Sequence, residues 1–355
     1  MEMTDTNERR IKLALTHDFY DATGTQRYRD IGLDVIAAQP MVAVERFTRH
    51  EPEIAPDQLA DADAVLVLTP RVTARSLSQA DRLLVVARFG VGYDSVDVAA
   101  CTERDVALTI TAGAVDRPVA EATLGWMLAL AYRVAIKDRL IREARWDDRS
   151  AHMGLGLSGR TVGIIGFGGI GRTLARLTTK LDMATPLVFD PFLTPDEIYA
   201  AGGRSATLDE LLSNADFVSI HCPLLDSTRG LIGREQLARM KPSAFLINTA
   251  RGGIVDEAAL YDALSTRQIA GAALDCFATE PLTAAPRFAE LDNVLLAPHA
   301  IAWTDDLFRD IGRTALTSVV ELFQGKQPAR GVVNPEVFAR PGFQAKLRRL
   351  AWGNH

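Results

Sequence analysis

Short apolar runs alternate with polar, helix-compatible stretches along most of the chain. Residues 11–15 (IKLAL), 64–68 (AVLVL), 83–87 (LLVVA) and the shorter 106–108 (VAL) read as buried strands. Between them, residues 26–31, 57–59 and 76–82 accommodate helices. This alternation predicts an α/β domain on a parallel sheet. The stretch from Arg117 to Arg142 reads as one long helix, with Pro118 in its first turn and no breaker beyond Gly125. Residues 146–160 read as loop. A second alternation follows, with strands at 162–165, 187–189, 217–220, 244–248, 272–274 and 294–296. Helical stretches near 208–212, 234–239 and 257–264 separate them. About six strands complete a doubly wound domain. Residues 305–324 form an amphipathic helix, and too little chain follows for another domain, so this helix is expected to return to the first one. The expected fold class is α/β with two doubly wound parallel-sheet domains. Residues 117–304 are inserted into a domain made of 1–116 and 305–355. Residues 336–355 read as a short tail carrying a basic patch, Lys346-Leu347-Arg348-Arg349.

Bulk properties narrow the class. The chain has 355 residues, which suits about two domains. Apolar residues make up 48% and charged residues 24%, as in ordinary globular proteins. The formal net charge of −6 argues against a nucleic-acid or acidic-membrane partner. The N-terminal MEMTDTNERR has no apolar core of a signal peptide, and no apolar run is long enough to span a membrane. A cytoplasmic protein is expected. Cys101, Cys222 and Cys276 are scattered without metal-ligand spacing, so no metal is expected.

The most informative stretch runs from Thr161 to Asp190. Strand 162–165 leads into Gly166-Phe167-Gly168-Gly169-Ile170-Gly171, a G-x-G-x-x-G. A helical pattern follows, with Ile170, Leu174, Leu177 and Leu181 on one face. The strand Leu187-Val188-Phe189 then ends on Asp190. Strand, glycine turn, helix, strand and acid together read as a dinucleotide-binding unit. Gly166 permits the tight turn, Gly168 lets backbone approach a pyrophosphate, and Gly171 lets the helix pack on the strand. The positive helix end receives the phosphates. Asp190 suits a ribose 2′-OH and repels a 2′-phosphate, which favours NAD over NADP.

Three polar residues follow strands of the same domain, where a ligand cleft is expected: Arg251, Glu280 and His299. A guanidinium forks onto a carboxylate and a carbonyl. A histidine donates a proton to a forming alkoxide, or removes one in reverse. A carboxylate beside it favours the imidazolium and fixes its tautomer. In the first domain, Arg88-Phe89-Gly90-Val91-Gly92-Tyr93-Asp94 follows a strand, and its glycines leave amides free for a small carboxylate.

With these motifs the chain resembles the D-2-hydroxyacid dehydrogenases, which include 3-phosphoglycerate dehydrogenase and hydroxypyruvate/glyoxylate reductases. The resemblance covers roughly residues 60 to 335. It is carried by Gly90 through Asp94, the glycine turn with Asp190, and His221-Cys222-Pro223-Leu224. It continues in Asn248 through Gly253, Asp275 through Pro281, and Pro298-His299. It implies a Rossmann NAD domain inserted in a flavodoxin-like substrate domain, and a homodimer assembled largely through the NAD domains. It places the catalytic Arg, Glu and His on Arg251, Glu280 and His299. The substrate carboxylate is implied to meet Val91, Gly92, Arg251 and His299, with Arg88 a further candidate. The cofactor is implied to meet the residues from Gly166 to Gly171, Asp190, His221, Cys222, Pro223, Thr228, Thr249, Ala250, Arg251, Asp275 and His299. The chain departs from the family at Ala302-Trp303-Thr304 and at residues 111–117, which leaves the substrate side chain open. Arg88 and Arg117 are candidates for a phosphate or second carboxylate. Hydroxypyruvate, glyoxylate or a 3-phosphoglycerate-like acid are the expected substrates. The alternatives are a formate- or phosphite-type dehydrogenase, the former disfavoured by Glu280, and an NAD-sensing corepressor-like protein of the same fold.

Overall fold

The computed structural model describes residues 10–350. The N-terminal segment through residue 9 and the last five residues of the tail lie outside the described residues. The chain forms two compact units, one of residues 1–115 and 304–355, the other of residues 116–303.

In the first unit the described strands are β1 (Ile11–Leu15), β2 (Val42–Arg46), β3 (Ala64–Val67), β4 (Val85–Arg88) and β5 (Ala107–Thr109). Helices α1 (Asp34–Ala37), α2 (Pro56–Leu59) and α3 (Val98–Glu103) lie between them. The strands are parallel in the order β2-β1-β3-β4-β5, the flavodoxin-like order. The sequence reading missed β2, α1 and α3 here and placed a helix at residues 26–31. β2 went unread because this edge strand exposes most of its side chains, so its sequence lacks a buried run. Instead of a helix, Gln26 forms an isolated bridge with Tyr20 and residues 27–29 bend; Gly32, at a φ of +73°, follows.

The second unit opens with α4 (Asp116–Ala131) and α5 (Val134–Arg142). These are two helices bent by 59°, where the sequence reads as one. Arg133 takes a left-handed φ of 53°. The Ala131 carbonyl, freed by the break, accepts the Leu155 amide at 2.9 Å. Only glycine fits at 154, where a Cβ would come within 2.5 Å of that same carbonyl. A tertiary contact thus ends α4. No single helix among the described residues is long and apolar enough to cross a membrane.

The elements then run β6 (Val162–Ile165), α6 (Gly169–Thr179), β7 (Leu187–Phe189), α7 (Pro195–Ala200), β8 (Arg204–Ser205), α8 (Leu208–Asn214) and β9 (Phe217–Ile220). They continue with α9 (Arg234–Arg239), β10 (Phe245–Asn248), α10 (Glu257–Ser265), β11 (Gly271–Leu274) and β12 (Val294–Leu296). All pairs are parallel, in the order β12-β11-β10-β9-β6-β7-β8. β8-β7-β6-β9-β10-β11 is the six-strand Rossmann order, extended at one edge by β12; the two-residue β8 was not expected. Leu181 lies beyond the end of α6 and is exposed, so it does not share the helix's buried face. Val162, Ile164, Leu174, Val188 and Ile247 join α4's Met127 in one core cluster.

The chain then forms α11 (Asp305–Phe323), whose Phe308 stacks on Tyr28 with ring centroids 4.3 Å apart. Its Arg313 pairs with Asp34 at 2.8 Å. The expected tail is structured as far as residue 350. α12 (Pro341–Leu350) buries Phe343 completely. Lys346 donates to the carbonyls of Leu83 and Arg104 at 3.0 and 2.7 Å. Lys346 is therefore no free basic patch, and burial pushes its pKa down to about 8.

Candidate active site

In the second unit the sequence-selected residues gather at the carboxyl ends of adjacent parallel strands. The strand order reverses between β9 and β6, and the glycine turn leaves β6 at that point. Gly166 has a φ of +89°, and a Cβ there would stand 2.6 Å from the Cys222 amide nitrogen. At Gly171 a Cβ would stand 2.5 Å from the Gly166 carbonyl, so this glycine sets the approach of α6 to β6. A Cβ on Gly168 would meet nothing within 4 Å, which leaves that backbone open for a ligand to approach. Asp190, just past β7, accepts the Phe167 amide at 2.8 Å and the Phe192 amide at 3.0 Å. The acid is thereby tied to the glycine turn. Open backbone, a helix N-terminus and an anchored carboxylate fit a dinucleotide.

After β9, His221 Nε2 lies 2.8 Å from Ser219 Oγ, and its Nδ1 is shielded from solvent. Burial pushes this imidazole down to about 4, so it is neutral at ordinary pH. Burial also raises the Cys222 thiol to about 11, which leaves it unreactive. Thr228 fastens the loop that begins at Cys222 and Pro223. Its hydroxyl donates to the Pro223 carbonyl at 2.6 Å and accepts the Leu225 amide at 2.8 Å.

The loop after β10 is closed by Asn248. Its Oδ1 accepts the Ala250 amide at 3.0 Å, and its Nδ2 donates to the Arg251 carbonyl at 2.8 Å. Thr249 Oγ1 lies 3.3 Å from Thr123 Oγ1 on α4. Arg251 donates to the Ala250 carbonyl at 2.7 Å. At Gly252 a Cβ would overlap the Phe277 carbonyl group, so this loop is pressed directly onto the backbone of the next one.

That next loop, after β11, carries Asp275 and Glu280. Glu280 Oε1 accepts the Phe277 amide at 2.7 Å, and Glu280 Oε2 lies 2.7 Å from His299 Nδ1. Burial alone would raise the Glu280 pKa. The hydrogen bond and charge of His299, the Phe277 amide and the Arg251 charge outweigh it and hold the carboxyl below the usual glutamate range. His299 has a left-handed φ of 54°, an uncommon backbone state in which histidine is enriched. Asp275 maintains that turn: its Oδ1 accepts the Ala300 and Ile301 amides at 2.8 and 3.1 Å. Burial raises the Asp275 pKa above the usual range. Arg251, Glu280, His299 and Asp275 thus form one connected group with the imidazole Nδ1 committed to a carboxylate. His299 Nε2 is then the atom available to exchange a proton with a ligand.

The loop after β4 in the first unit is built for exposed amides. Gly90 has a φ of +139°, and its carbonyl accepts the Thr111 amide at 3.0 Å. Among the described residues no acceptor takes the Val91 or Gly92 amide. Arg88 turns back beneath this loop and donates to the carbonyls of Val67 and Phe89. Arg117 pairs with Glu121 one turn along the exposed face of α4. Sequence reasoning missed the clamp role of Asn248 and the position of Asp116 beside Gly169. Asn248 stood inside a recognised motif, whereas Asp116 carried no local signal.

Comparison with known proteins agrees with this geometry. The family model described as "D-isomer specific 2-hydroxyacid dehydrogenase, NAD binding domain" matches residues 124–300. A glyoxylate reductase of Korarchaeum cryptofilum is 36% identical over 294 residues, 81% of this chain and 88% of the relative. A D-3-phosphoglycerate dehydrogenase of Mycobacterium tuberculosis is 39% identical over 298 residues, 82% of this chain but 56% of that protein. The chain thus spans only about half the length of such phosphoglycerate dehydrogenases. The solved structure of a glyoxylate reductase from Paecilomyes thermophila superimposes with a TM-score of 0.77 at 26% identity, covering 92% of this chain and 99% of that one. The chain belongs to the D-isomer specific 2-hydroxyacid dehydrogenase family, NAD-dependent oxidoreductases that move a hydride between nicotinamide and C2 of a 2-hydroxy or 2-keto acid.

Proposed function

We propose that this protein interconverts a small D-2-hydroxy acid and its 2-keto acid with NAD, and that hydroxypyruvate or glyoxylate is closer to its substrate than 3-phosphoglycerate. The observation that carries the chemistry is the 2.7 Å contact of Glu280 Oε2 with His299 Nδ1. Bound NAD supplies the hydride acceptor or donor. Arg251 forks onto the carboxylate and C2 oxygen of the substrate and polarises that oxygen. The amides of Val91 and Gly92 take the carboxylate. His299 Nε2 gives its proton to the C2 oxygen in reduction and removes it in oxidation. Glu280 steadies the imidazolium and keeps the ring in register. Asp275 offers its second oxygen to the nicotinamide amide while the first maintains the His299 turn. Asp190 takes the ribose hydroxyls. The ionised partner on His299 weighs against a formate-type reaction, which needs no proton acceptor.

The preference for an uncharged substrate tail follows from the two spare arginines. Arg88 is engaged by two backbone carbonyls and Arg117 by Glu121, so neither is set aside for a phosphate. The test is NADH oxidation against glyoxylate, hydroxypyruvate, pyruvate, oxaloacetate and 2-ketoglutarate, with D-3-phosphoglycerate oxidised in the reverse assay. Glyoxylate or hydroxypyruvate is expected to turn over best. Phosphoglycerate as the best substrate would reverse the assignment. NADH binding with no turnover on any of them would favour the corepressor-like reading.

The proposal extends to a cytoplasmic homodimer. Leu128, Tyr132, Val134, Ile141, Trp146 and Met153 are all exposed on neighbouring elements of the second unit. An apolar strip of this kind suits a second copy of the chain. Sedimentation should give twice the chain mass, and Ile141→Asp with Trp146→Asp should halve it; a wild-type monomer would refute the dimer.

A further inference from the structure

Gly169 is the first residue of α6, and a Cβ there would overlap the Asp116 carboxylate. Asp116 opens α4, so the first residues of two helices meet at this contact. Its carboxylate is half-buried and makes no hydrogen bond or ion pair among the described residues. Arg176 on α6 is the cation that acts on it, but that guanidinium is directed to Thr173 Oγ1 at 2.8 Å. A carboxylate with no hydrogen-bonded or ion-paired partner among the described residues thus rests against the first turn of α6.

The same turn is the one that receives the dinucleotide pyrophosphate. The partial positive charge of a helix N-terminus attracts either anion. Asp116 complements it when the site is empty. When the pyrophosphate arrives, two anions share one turn in a partly desolvated place, where repulsion is stronger than in water. The roles of the glycines differ accordingly. Gly168 leaves open space for a ligand, whereas Gly169 leaves space for Asp116.

We propose that Asp116 is an electrostatic brake on the cofactor: its carboxylate against Gly169 repels the pyrophosphate, lowers dinucleotide affinity and speeds dinucleotide release. This rests on the reading of residues 166–171 as the pyrophosphate turn. The test titrates the full chain with NADH, ADP-ribose and adenosine, comparing wild type with Asp116→Asn and Asp116→Ser. The expected result is an NADH Kd lower by about tenfold in both variants at low ionic strength, a size set by one near charge pair. ADP-ribose should follow NADH. The gap should narrow as salt screens the repulsion. Adenosine, which has no pyrophosphate, should bind wild type and variants alike. An unchanged or higher NADH Kd in variants that keep the wild-type melting temperature would overturn the brake. Equal tightening of adenosine would also overturn it, because packing would then be the cause. If wild type binds neither NADH nor ADP-ribose, the pyrophosphate turn itself fails and the brake with it. NADH binding without a variant effect removes the brake alone.

Discussion

Glu280 Oε2 stands 2.7 Å from His299 Nδ1, while the other Glu280 oxygen is held at 2.7 Å by the Phe277 amide. The carboxylate is therefore fixed by backbone before it fixes the histidine. Glu280→Gln should keep the ring in place and remove the charge that favours the imidazolium. Turnover of keto acid at neutral pH should fall by about 10²-fold, the lower range for general acid–base groups. Steady-state kinetics on the keto acid check this. Wild-type turnover in the variant would remove Glu280 from the mechanism. The wild-type pair should itself resist acid. Because the Glu280 pKa is held below its ordinary 4.5, its stabilising effect is present above 4.5 and is lost as pH falls through the lowered value.

Asp275 caps the His299 turn, and its proposed contact with the nicotinamide is separable from that cap. Asp275→Asn retains an oxygen for the Ala300 and Ile301 amides, and Asp275→Ala leaves both without an acceptor. The alanine variant should lose about 2 kcal/mol, the scale for stranding a buried donor. The asparagine variant should lose much less stability yet still bind NADH more weakly. Denaturant melts and NADH titration separate the two; equal stability losses would contradict the capping role.

Gly252 joins the Arg251 loop to the Glu280 loop by direct backbone contact. Gly252→Ala forces the two apart, at a cost of about 3 kcal/mol or more by the scale of overpacking. Activity should fall further than NADH affinity, since the displaced groups are Arg251 and Glu280. Thermal melting with steady-state kinetics checks both; a fully active, stable variant would show that the contact relaxes freely.

His221 gives a pH signature. Its folded value near 4 lies below the ordinary 6.5, so the unfolded chain binds a proton first as pH falls. Stability should therefore decline between about 6.5 and 4 and level off below. His221→Asn should flatten that decline in urea midpoints measured across the window. An unchanged slope would mean that the imidazole is already solvated.

What the sequence made legible was local. The turn from Gly166 to Gly171 shows its purpose in its own spacing, and the fold class followed from alternation of apolar runs. The residues at the ends of β10, β11 and β12 could be chosen because strand ends are where such sheets bind ligands. Features set by distant partners could not be read. The break at Arg133 depends on Leu155 and Gly154, and the docking of α12 on Lys346 meeting the carbonyls of Leu83 and Arg104. β2 escaped because an exposed edge strand carries no buried run. Asp116 looked like any acid at a helix start until the fold placed it against Gly169.

The most direct test of the account is single-turnover oxidation of bound NADH by hydroxypyruvate or glyoxylate, in wild type and in His299→Ala. The account predicts rapid loss of NADH absorbance in wild type. In the variant it predicts a rate lower by about 10³-fold, within the range for a lost general acid, with the NADH Kd unchanged. A variant that turns over at the wild-type rate would contradict the assignment of proton transfer to His299.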